Sequence, residues 1–380
     1  MRDLPVIVAA RRTPIGTAGH AFKELTAADL AAPVLAALAE DLPVVDDVVL
    51  GNCMGPGGNL GRIAALAAGL GVEVPGMTVD RQCGSGLAAI LAAGQAVASG
   101  EMRVVLAGGV ESASTAPART HPGAARPYPR AAFAPGGFPD PDMGPAAEAL
   151  ATARGITRER QDEYARLSHA KALGARAAGD FTAEIVPIGD RADDQRPRSL
   201  RAASLARLPA AFVTDGTVTA GNASPVSDGA AAVTIVRDSD RDGRPGLRLL
   251  AGTVTGCDPA LPGWGPVAAV ERLLSRPGLD RPHDLSLDGV EAVEIVEAFA
   301  AQVLAVTDAL GLDPLGKDRE RVCGGGGALA LGHPWGASGA VVVARLFSRL
   351  VHGGAPEGSL GLATAAVGGG LGVAALFEVC

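Results

Sequence analysis

Aromatic side chains are scarce in this sequence, because they make up only 3% of its 380 residues, whereas glycine occurs 52 times. Few large flat groups are therefore present to fill the interior. With 48% hydrophobic residues, the composition predicts cores in which small side chains pack closely on the backbone, as in buried α/β layers. The length allows two or three domains with large cores.

Long apolar runs are also missing. No stretch of 18 or more apolar residues occurs, and residues 1–5 do not begin the apolar region of a signal peptide. These absences exclude a membrane-spanning helix and predict a cytoplasmic protein without a membrane partner.

Cysteine usage excludes two further classes of protein. The chain has an odd number of cysteines without CxxC spacing: Cys53, Cys83, Cys257, Cys323 and Cys380. Neither a disulfide framework nor a zinc site is predicted, and no metal is expected. The glycine run at 324–327 lacks the Lys-Ser/Thr of a phosphate-binding loop, so tight backbone packing explains it better.

The net charge of -8 argues against nonspecific binding of nucleic acid. Residues 115–209 differ from this average, since they hold 14 Lys and Arg against 11 Asp and Glu. An anionic ligand is expected to meet this segment. At so small an excess, solvation of helices explains most of these arginines.

A cysteine in a glycine-rich turn is the leading candidate for a reactive group. Cys83 lies in TVDRQCGSGLAAI at 78–90, where a β-favouring segment meets a run typical of a helix. The N–H groups and dipole at the start of that helix are expected to stabilise a thiolate, which makes Cys83 the candidate nucleophile. The alternative is a small buried cysteine in a turn, which is ordinary for this residue type.

Strand and helix patterns alternate along most of the chain, which predicts layered α/β domains. Strands are predicted at 5–10, 48–50, 104–107, 232–236, 292–296 and 362–370, and helices at 26–40, 62–70, from the Cys83 turn to 99, and at 145–154, 157–178, 300–310 and 337–350. The segments 115–142 and 190–207 are predicted to be irregular. We predict an N-terminal half of residues 1–114 plus 210–246, an insert of 115–209, and a C-terminal half of 247–380.

The two halves share a motif. CGSG at 83–86, followed by a helix and a strand ending in glycines, is echoed by HPWGASG at 333–339, a helix and the segment 362–370. If the halves are repeats packed about a pseudo-twofold axis, Cys83 and His333 occupy equivalent helix N-termini and share one cleft.

The ordered set of motifs resembles the thiolase family over nearly the whole chain. It consists of RTPIG at 12–16, RQCGSGL at 81–87, MG at 143–144 with Glu148, QD at 161–162, EIVP at 184–187, TAGNAS at 219–224, EAFA at 297–300, LGHP at 331–334, GASG at 336–339, GLAT at 361–364 and GGG at 368–370. The resemblance implies a duplicated five-layer α/β/α/β/α fold with an inserted, mainly helical loop domain that binds coenzyme A and makes oligomer contacts. It also implies acyl-CoA and CoA as substrates, no bound cofactor, and a homodimer or homotetramer.

The same resemblance assigns roles to individual residues. Cys83 would take up the acyl group, and His333 would activate the thiol. The backbone N–H groups of Cys83 and Gly368 would form an oxyanion hole, while Ser224 and Met143 would bind substrate. A lone histidine is often structural, but the motif around His333 favours the catalytic interpretation.

Three positions depart from the family pattern. Ala366 stands where thiolases have a cysteine that exchanges a proton with the substrate α-carbon. Val296 replaces the asparagine that holds a water of the other oxyanion hole, and Asp142 replaces a common histidine before Met-Gly. Together with Trp264 and Trp335, these changes indicate a reshaped acyl pocket.

Three functions therefore remain open. The first is a thiolase-type acyltransferase acting on 3-ketoacyl-CoA, with another residue supplying the base or with Ala366 as a substituted cysteine. The second is an acyltransferase or thioesterase without Claisen chemistry. The third is a noncatalytic CoA-ester-binding subunit, against which the preserved Cys83 and His333 argue.

Overall fold

Strands and helices alternate along the chain in the computed structural model, which describes residues 3–40, 42–276 and 286–380. The strands are β1 (Pro5–Arg12), β2 (Gly16–Thr17), β3 (Asp47–Gly51), β4 (Met77–Val79), β5 (Val104–Ser112), β6 (Ser227–Arg237), β7 (Leu247–Gly256), β8 (Val290–Ile295), β9 (Leu360–Val367) and β10 (Leu371–Val379). The α-helices are α1 (Ala27–Ala39), α2 (Leu60–Ala67), α3 (Ser85–Ser99), α4 (Met143–Arg154), α5 (Arg158–Ala178), α6 (Ala202–Leu205), α7 (Gly265–Leu274), α8 (Ala300–Ala309), α9 (Ala328–Leu331) and α10 (Trp335–Phe347). None of the helices described is long and apolar enough to cross a membrane.

Two helices form the central layer of the molecule. α3 and α10 pack against each other, and each also contacts strands of both halves. α1 and α2 cover the outer face of the N-terminal strands, while α7 and α8 cover the outer face of the C-terminal strands. The layers therefore follow the predicted α/β/α/β/α order.

The strand order shows an internal duplication. The strands run β4-β3-β5-β6-β1-β7-β10-β9-β8, with β2 beside β6. β1 and β7 join the halves over only two residue pairs. The C-terminal half repeats the N-terminal order, and a parallel bridge between Val293 and Val322 takes the place of the β3–β4 pairing. The predicted repeat is confirmed.

Glycine lets the two central helices approach closely. A Cβ at Gly86 would lie 2.8 Å from Ala340 N and 3.0 Å from Gly336 O. A Cβ at Gly339 would collide with the backbone nitrogen of Leu87. Since neither contact leaves room for a methyl group, these glycines allow α3 and α10 to share one layer.

Buried ion pairs attach the insert to the layers beneath it. Glu184 Oε1 accepts from Arg12 Nε at 2.6 Å, and Glu184 Oε2 accepts from Arg345 Nη1 at 2.6 Å. Ser348 Oγ donates to the same carboxylate at 2.6 Å, and Asp194 pairs with Arg12 at 2.7 Å. These contacts join the insert to β1 and α10. The boundaries of the insert at residues 115 and 209 remain a prediction from the sequence.

Most predicted elements are present with shifted ends. Thr26 caps α1 as expected, because its side chain accepts from Asp29 N while Asp29 accepts from Thr26 N–H. Two details were wrong: β5 continues past Gly108 to Ser112, and α6 lies in the predicted loop at 190–207. Gly108 lies inside the strand rather than at its end. It allows β5 to approach β6 closely, because a Cβ at this position would collide with a carbonyl of β6.

Candidate active site

One cavity opens where the first turns of α3 and α10 meet the end of β9 and the insert. It has a volume of about 540 Å³, and its wall includes Cys83, His333 and Gly368. The predicted cleft at the two equivalent helix N-termini is thus present. Among the residues that the structure describes, no three His, Cys, Asp or Glu side chains are grouped to hold a metal ion.

Cys83 lies in a constrained turn directly before α3. It occupies a single 3-10 turn, Gln82–Gly84, and Gln82 has a left-handed backbone with φ of 44°. Such a conformation is uncommon for a residue other than glycine and often occurs at functional sites. Asp80 Oδ1 accepts from Gln82 N at 2.8 Å and holds the turn. Part of the Cys83 surface faces the cavity.

Burial controls the protonation state of Cys83. It raises the pKa of the thiol to about 12, and the negative charge of Glu111 adds to the effect. The backbone N–H groups of Cys83 and Gly368 lower this pKa. Backbone N–H groups therefore favour the thiolate as expected, but burial outweighs them, so Cys83 is a thiol in the resting protein and needs a base.

Gly368 follows β9 and places its N–H within hydrogen-bonding reach of Cys83 Sγ. The insert covers this glycine, since a Cβ there would lie 2.7 Å from the Phe133 ring. The Arg130 guanidinium stacks over that ring, 4.7 Å from its centroid. A side chain at position 368 would therefore displace either the insert or the donor N–H.

His333 lies two residues before α10, as Cys83 lies two residues before α3. Its Nδ1 is 2.6 Å from Ser338 Oγ, which itself donates to Pro334 O at 3.0 Å. We assign the imidazole proton to Nδ1, because Ser338 Oγ donates its own proton to Pro334 O; this assignment makes Nε2 the acceptor. Burial lowers the pKa of His333 to about 4, so the ring is neutral near pH 7.

The two predicted substrate-binding residues, Ser224 and Met143, both line the cavity. Ser224 N donates to Ala298 O at 3.0 Å, which links it to the segment before α8. Met143 is the first residue of α4. The preceding Asp142 is exposed, lies outside the cavity wall, and accepts from Arg130 Nε at 2.7 Å.

Two other positions depart from the thiolase pattern, and only one of them lines the cavity. Ala366 lies in β9 and in the cavity wall. Val296 is only 2% exposed and packs in the hydrophobic core, so its side chain does not reach the cavity. Of the two tryptophans expected to reshape the pocket, Trp335 lines the cavity, whereas Trp264 lies outside it beneath the Arg154 guanidinium.

Three groups at the site were not predicted from the sequence: Cys53, Glu111 and Gln302. Cys53 lines the cavity, and Glu111 is fully buried behind it. Gln302 is 2% exposed, lines the cavity, and has no hydrogen-bond partner on either amide atom among the described residues. The sequence did contain a signal for Glu111, because a glutamate within an apolar strand segment is rarely buried unless it has a partner or a function. Cys53 and Gln302 had none.

Comparisons with known proteins agree with this fold. The thiolase N-terminal domain model matches residues 5–239, and the thiolase C-terminal domain model matches residues 245–379. An acetyl-CoA acetyltransferase of Pseudomonas aeruginosa is 41% identical over 408 residues, and one of Chromobacterium violaceum is 40% identical over 406 residues, each alignment covering 98% of both chains. The crystal structure of the Bacillus anthracis acetyl-CoA acetyltransferase has 37% identity and a TM-score of 0.89, covering 100% of this chain and 99% of that one.

The chain therefore belongs to the thiolase family. It is an acyltransferase of the thiolase type.

Proposed function

We propose that this protein transfers acyl groups between coenzyme A thioesters and carries them as a thioester on Cys83. The observation that supports the proposal is that the Cys83 thiol, the His333 ring and the Gly368 N–H meet at one cavity. Relatives named acetyl-CoA acetyltransferase favour acetyl-CoA as a substrate, and the motif resemblance to thiolases adds a 3-ketoacyl-CoA.

The resting protonation states suit the loading of an acyl group. His333 Nε2 accepts the Cys83 proton while Sγ attacks the thioester or ketone carbonyl carbon. Both groups start in the required form, because Cys83 is a thiol and His333 is a neutral imidazole. The N–H groups of Cys83 and Gly368 then donate to the developing oxyanion, and such donors are worth roughly 3 to 4 kcal/mol each in acyl transfer.

The insert is the proposed site for the coenzyme A portion of the substrate. Arg119, Tyr128 and Arg130 lie in the cavity wall. Arg130 is neutralised by Asp140 and Asp142, whereas Arg119 Nη2 binds the Met54 carbonyl at 2.7 Å and makes no ion pair among the described residues. Its charge is available to a phosphate. A homodimer or homotetramer is proposed from the family resemblance alone, and a cytoplasmic location stays the prediction made from the sequence.

Acyl transfer or hydrolysis without carbon–carbon chemistry is the second candidate function. It is favoured by Ala366, which lines the cavity but has no proton to exchange with a substrate α-carbon. This candidate uses the same acyl-Cys83 intermediate and differs only in what removes the acyl group.

Mass spectrometry of the protein after incubation with acetyl-CoA tests the shared step. We expect one acetyl group on the peptide that contains Cys83, none in Cys83→Ala, and loading slowed by about 10²- to 10⁴-fold in His333→Ala. Cys257→Ser is the matched control, since that half-buried cysteine lies outside the cavity. No adduct in the unmodified protein would overturn both candidates and leave a noncatalytic CoA-ester-binding protein. Thiolysis of acetoacetyl-CoA then separates the first candidate from the second.

A further inference from the structure

Proton exchange at a substrate α-carbon requires an acid/base group at the cavity, and Ala366 cannot supply one. Of the five cysteines, only Cys53 and Cys83 line the cavity. Cys323 is buried against Ile295, Cys380 is buried beside Gly246, and Cys257 is 3.9 Å from the Asp258 carbonyl. Cys53 is therefore the one cavity thiol that the acyl-loading step leaves unused.

Glu111 fixes the position of Cys53. Its buried carboxylate accepts from Cys53 N at 3.2 Å and from Met54 N at 3.1 Å. The same carboxylate accepts from Gly336 N, in the first turn of α10, at 3.0 Å, and from Asn52 Nδ2 at 3.0 Å. One carboxylate thus holds the Cys53 loop against the helix that follows His333.

A second contact places the Cys53 side chain beside α3. Cys53 Sγ lies 3.7 Å from the Oγ of Ser85, the first residue of that helix and two residues after Cys83. Burial raises the pKa of both thiols, and the negative charge of Glu111 adds to the rise in each. Cys53 therefore sits at the shared N-terminal end of both central helices.

The other ionisable groups in the cavity wall suit this role less well. His333 is occupied with the Cys83 proton. Asp80 is exposed and bonds to Gln82 N. Tyr128 belongs to the irregular part of the insert and stacks on His121, with ring centroids 4.7 Å apart. Burial, with Glu111 adding to it, raises the pKa of the Cys53 thiol well above its ordinary value, so the group holds its proton at rest.

We infer that Cys53 is the acid/base residue that exchanges a proton with the substrate α-carbon, in the place of the thiol missing at Ala366. This inference rests on the proposed function. In thiolysis, Cys83 Sγ bonds to the ketone carbon C3 and its proton goes to His333. The C2–C3 bond then breaks, its electron pair stays on C2, and Cys53 gives its proton to C2, which completes the shortened acyl-CoA.

The second half of the cycle restores every group. Solvent carries the proton of the His333 imidazolium to the Cys53 thiolate. The thiol of an incoming coenzyme A then gives its proton to the neutral His333, and its sulfur attacks the acyl carbon on Cys83. The Cys83–acyl bond breaks, and the Cys83 thiolate recovers its proton from His333. The condensation direction reverses these steps, so Cys53 then removes a proton from C2.

Two readouts on one sample separate the inference from the proposed function: acetylation of Cys83, and incorporation of deuterium into the acetyl group of acetyl-CoA in D2O. The unmodified protein is expected to show both. Cys53→Ser should acetylate Cys83 within about twofold of the normal rate but lose deuterium exchange by about 100-fold or more. Cys53→Ala is included because the serine hydroxyl of Cys53→Ser could itself exchange a proton with the substrate. Cys257→Ser should retain both Cys83 acetylation and deuterium exchange.

Each outcome has a distinct meaning. No Cys83 acetylation in the unmodified protein overturns the proposed function. Normal acetylation with unaltered deuterium exchange in Cys53→Ser and Cys53→Ala overturns the role of Cys53 alone. Normal acetylation without any exchange in the unmodified protein also overturns it, and leaves acyl transfer without carbon chemistry. Adding Ala366→Cys to Cys53→Ser should restore deuterium exchange, since it returns a thiol to the cavity wall. A double variant that acetylates Cys83 normally but shows no deuterium exchange would contradict the role of Cys53.

Discussion

At the scale of single residues, burial sets the protonation states on which acyl loading depends. It keeps Cys83 protonated and keeps His333 neutral. The neutral state of His333 does not follow from the type of residue alone, because an ordinary histidine is half protonated near pH 6.5. The hydrogen bond from Nδ1 to Ser338 adds orientation by leaving Nε2 as the acceptor.

The low pKa of His333 predicts an unusual pH profile. A base acts only when it is unprotonated, and a pKa of about 4 keeps His333 unprotonated well below neutrality. We expect the rate of Cys83 acetylation to change by less than about twofold between pH 7.5 and 5.5, whereas a base with a pKa near 6.5 would lose about tenfold. Rapid-quench mass spectrometry across this range measures the rate. A tenfold fall at pH 5.5, with circular dichroism unchanged, would show that the ring titrates normally.

At the scale of secondary-structure elements, the meeting of α3 and α10 forms the site. Local pattern was sufficient to predict both helix starts, because glycines and small residues surround Cys83 and His333 in the sequence. Local pattern could not predict Cys53, which depends on a hydrogen bond to Glu111 58 positions away. Nor could it show that Val296 points into the core rather than into the cavity. Such contacts are set by how β3, β5 and α10 stack, which no short window of sequence contains.

Close packing of these two helices predicts a strong effect of one methyl group. Gly339→Ala places a Cβ against the backbone of Leu87, and overpacking of this kind costs about 1 to 3 kcal/mol of unfolding free energy. Because the shift moves α10 relative to α3, loading of Cys83 should also slow. Urea unfolding and the acetylation rate measure the two effects.

Gly174→Ala is the matched control for this substitution. Gly174 lies within α5, and a Cβ there would meet nothing within 4 Å. Removing a helix-interior glycine in open space should stabilise the protein by roughly 0.5 to 1 kcal/mol. Equal effects of the two substitutions would contradict tight packing between α3 and α10.

At the scale of the whole molecule, duplication creates two similar halves, and the insert covers the cavity between their equivalent helix starts. The halves meet edge to edge only briefly, so the central helices and the buried ion pairs hold the assembly together. Glu184 joins the insert to β1 through Arg12 and to α10 through Arg345. The segments around Arg12 and Glu184 each match a thiolase motif in the sequence. That these two residues, 172 positions apart, form an ion pair is visible only in the fold.

Removal of the Glu184 charge is therefore expected to loosen the whole molecule. Glu184→Gln leaves two buried guanidinium groups without their shared carboxylate, and breaking a buried pair in this way costs about 3 to 5 kcal/mol. Asp308→Asn is the control, because it breaks the exposed Arg160–Asp308 pair, and pairs at the surface are worth about 0.2 to 1 kcal/mol.

Burial raises the pKa of Glu184, but Arg345 and Arg12 outweigh it and hold the pKa below its ordinary value of 4.5. A lowered carboxyl pKa stabilises the folded state above pH 4.5, and this contribution is lost as the pH falls through the folded-state pKa. Urea unfolding at pH 7 and again below pH 4.5 should show the gap between the unmodified protein and Glu184→Gln narrowing on acidification, whereas a gap that stays constant or widens would mean that the Glu184 charge does not stabilise the fold.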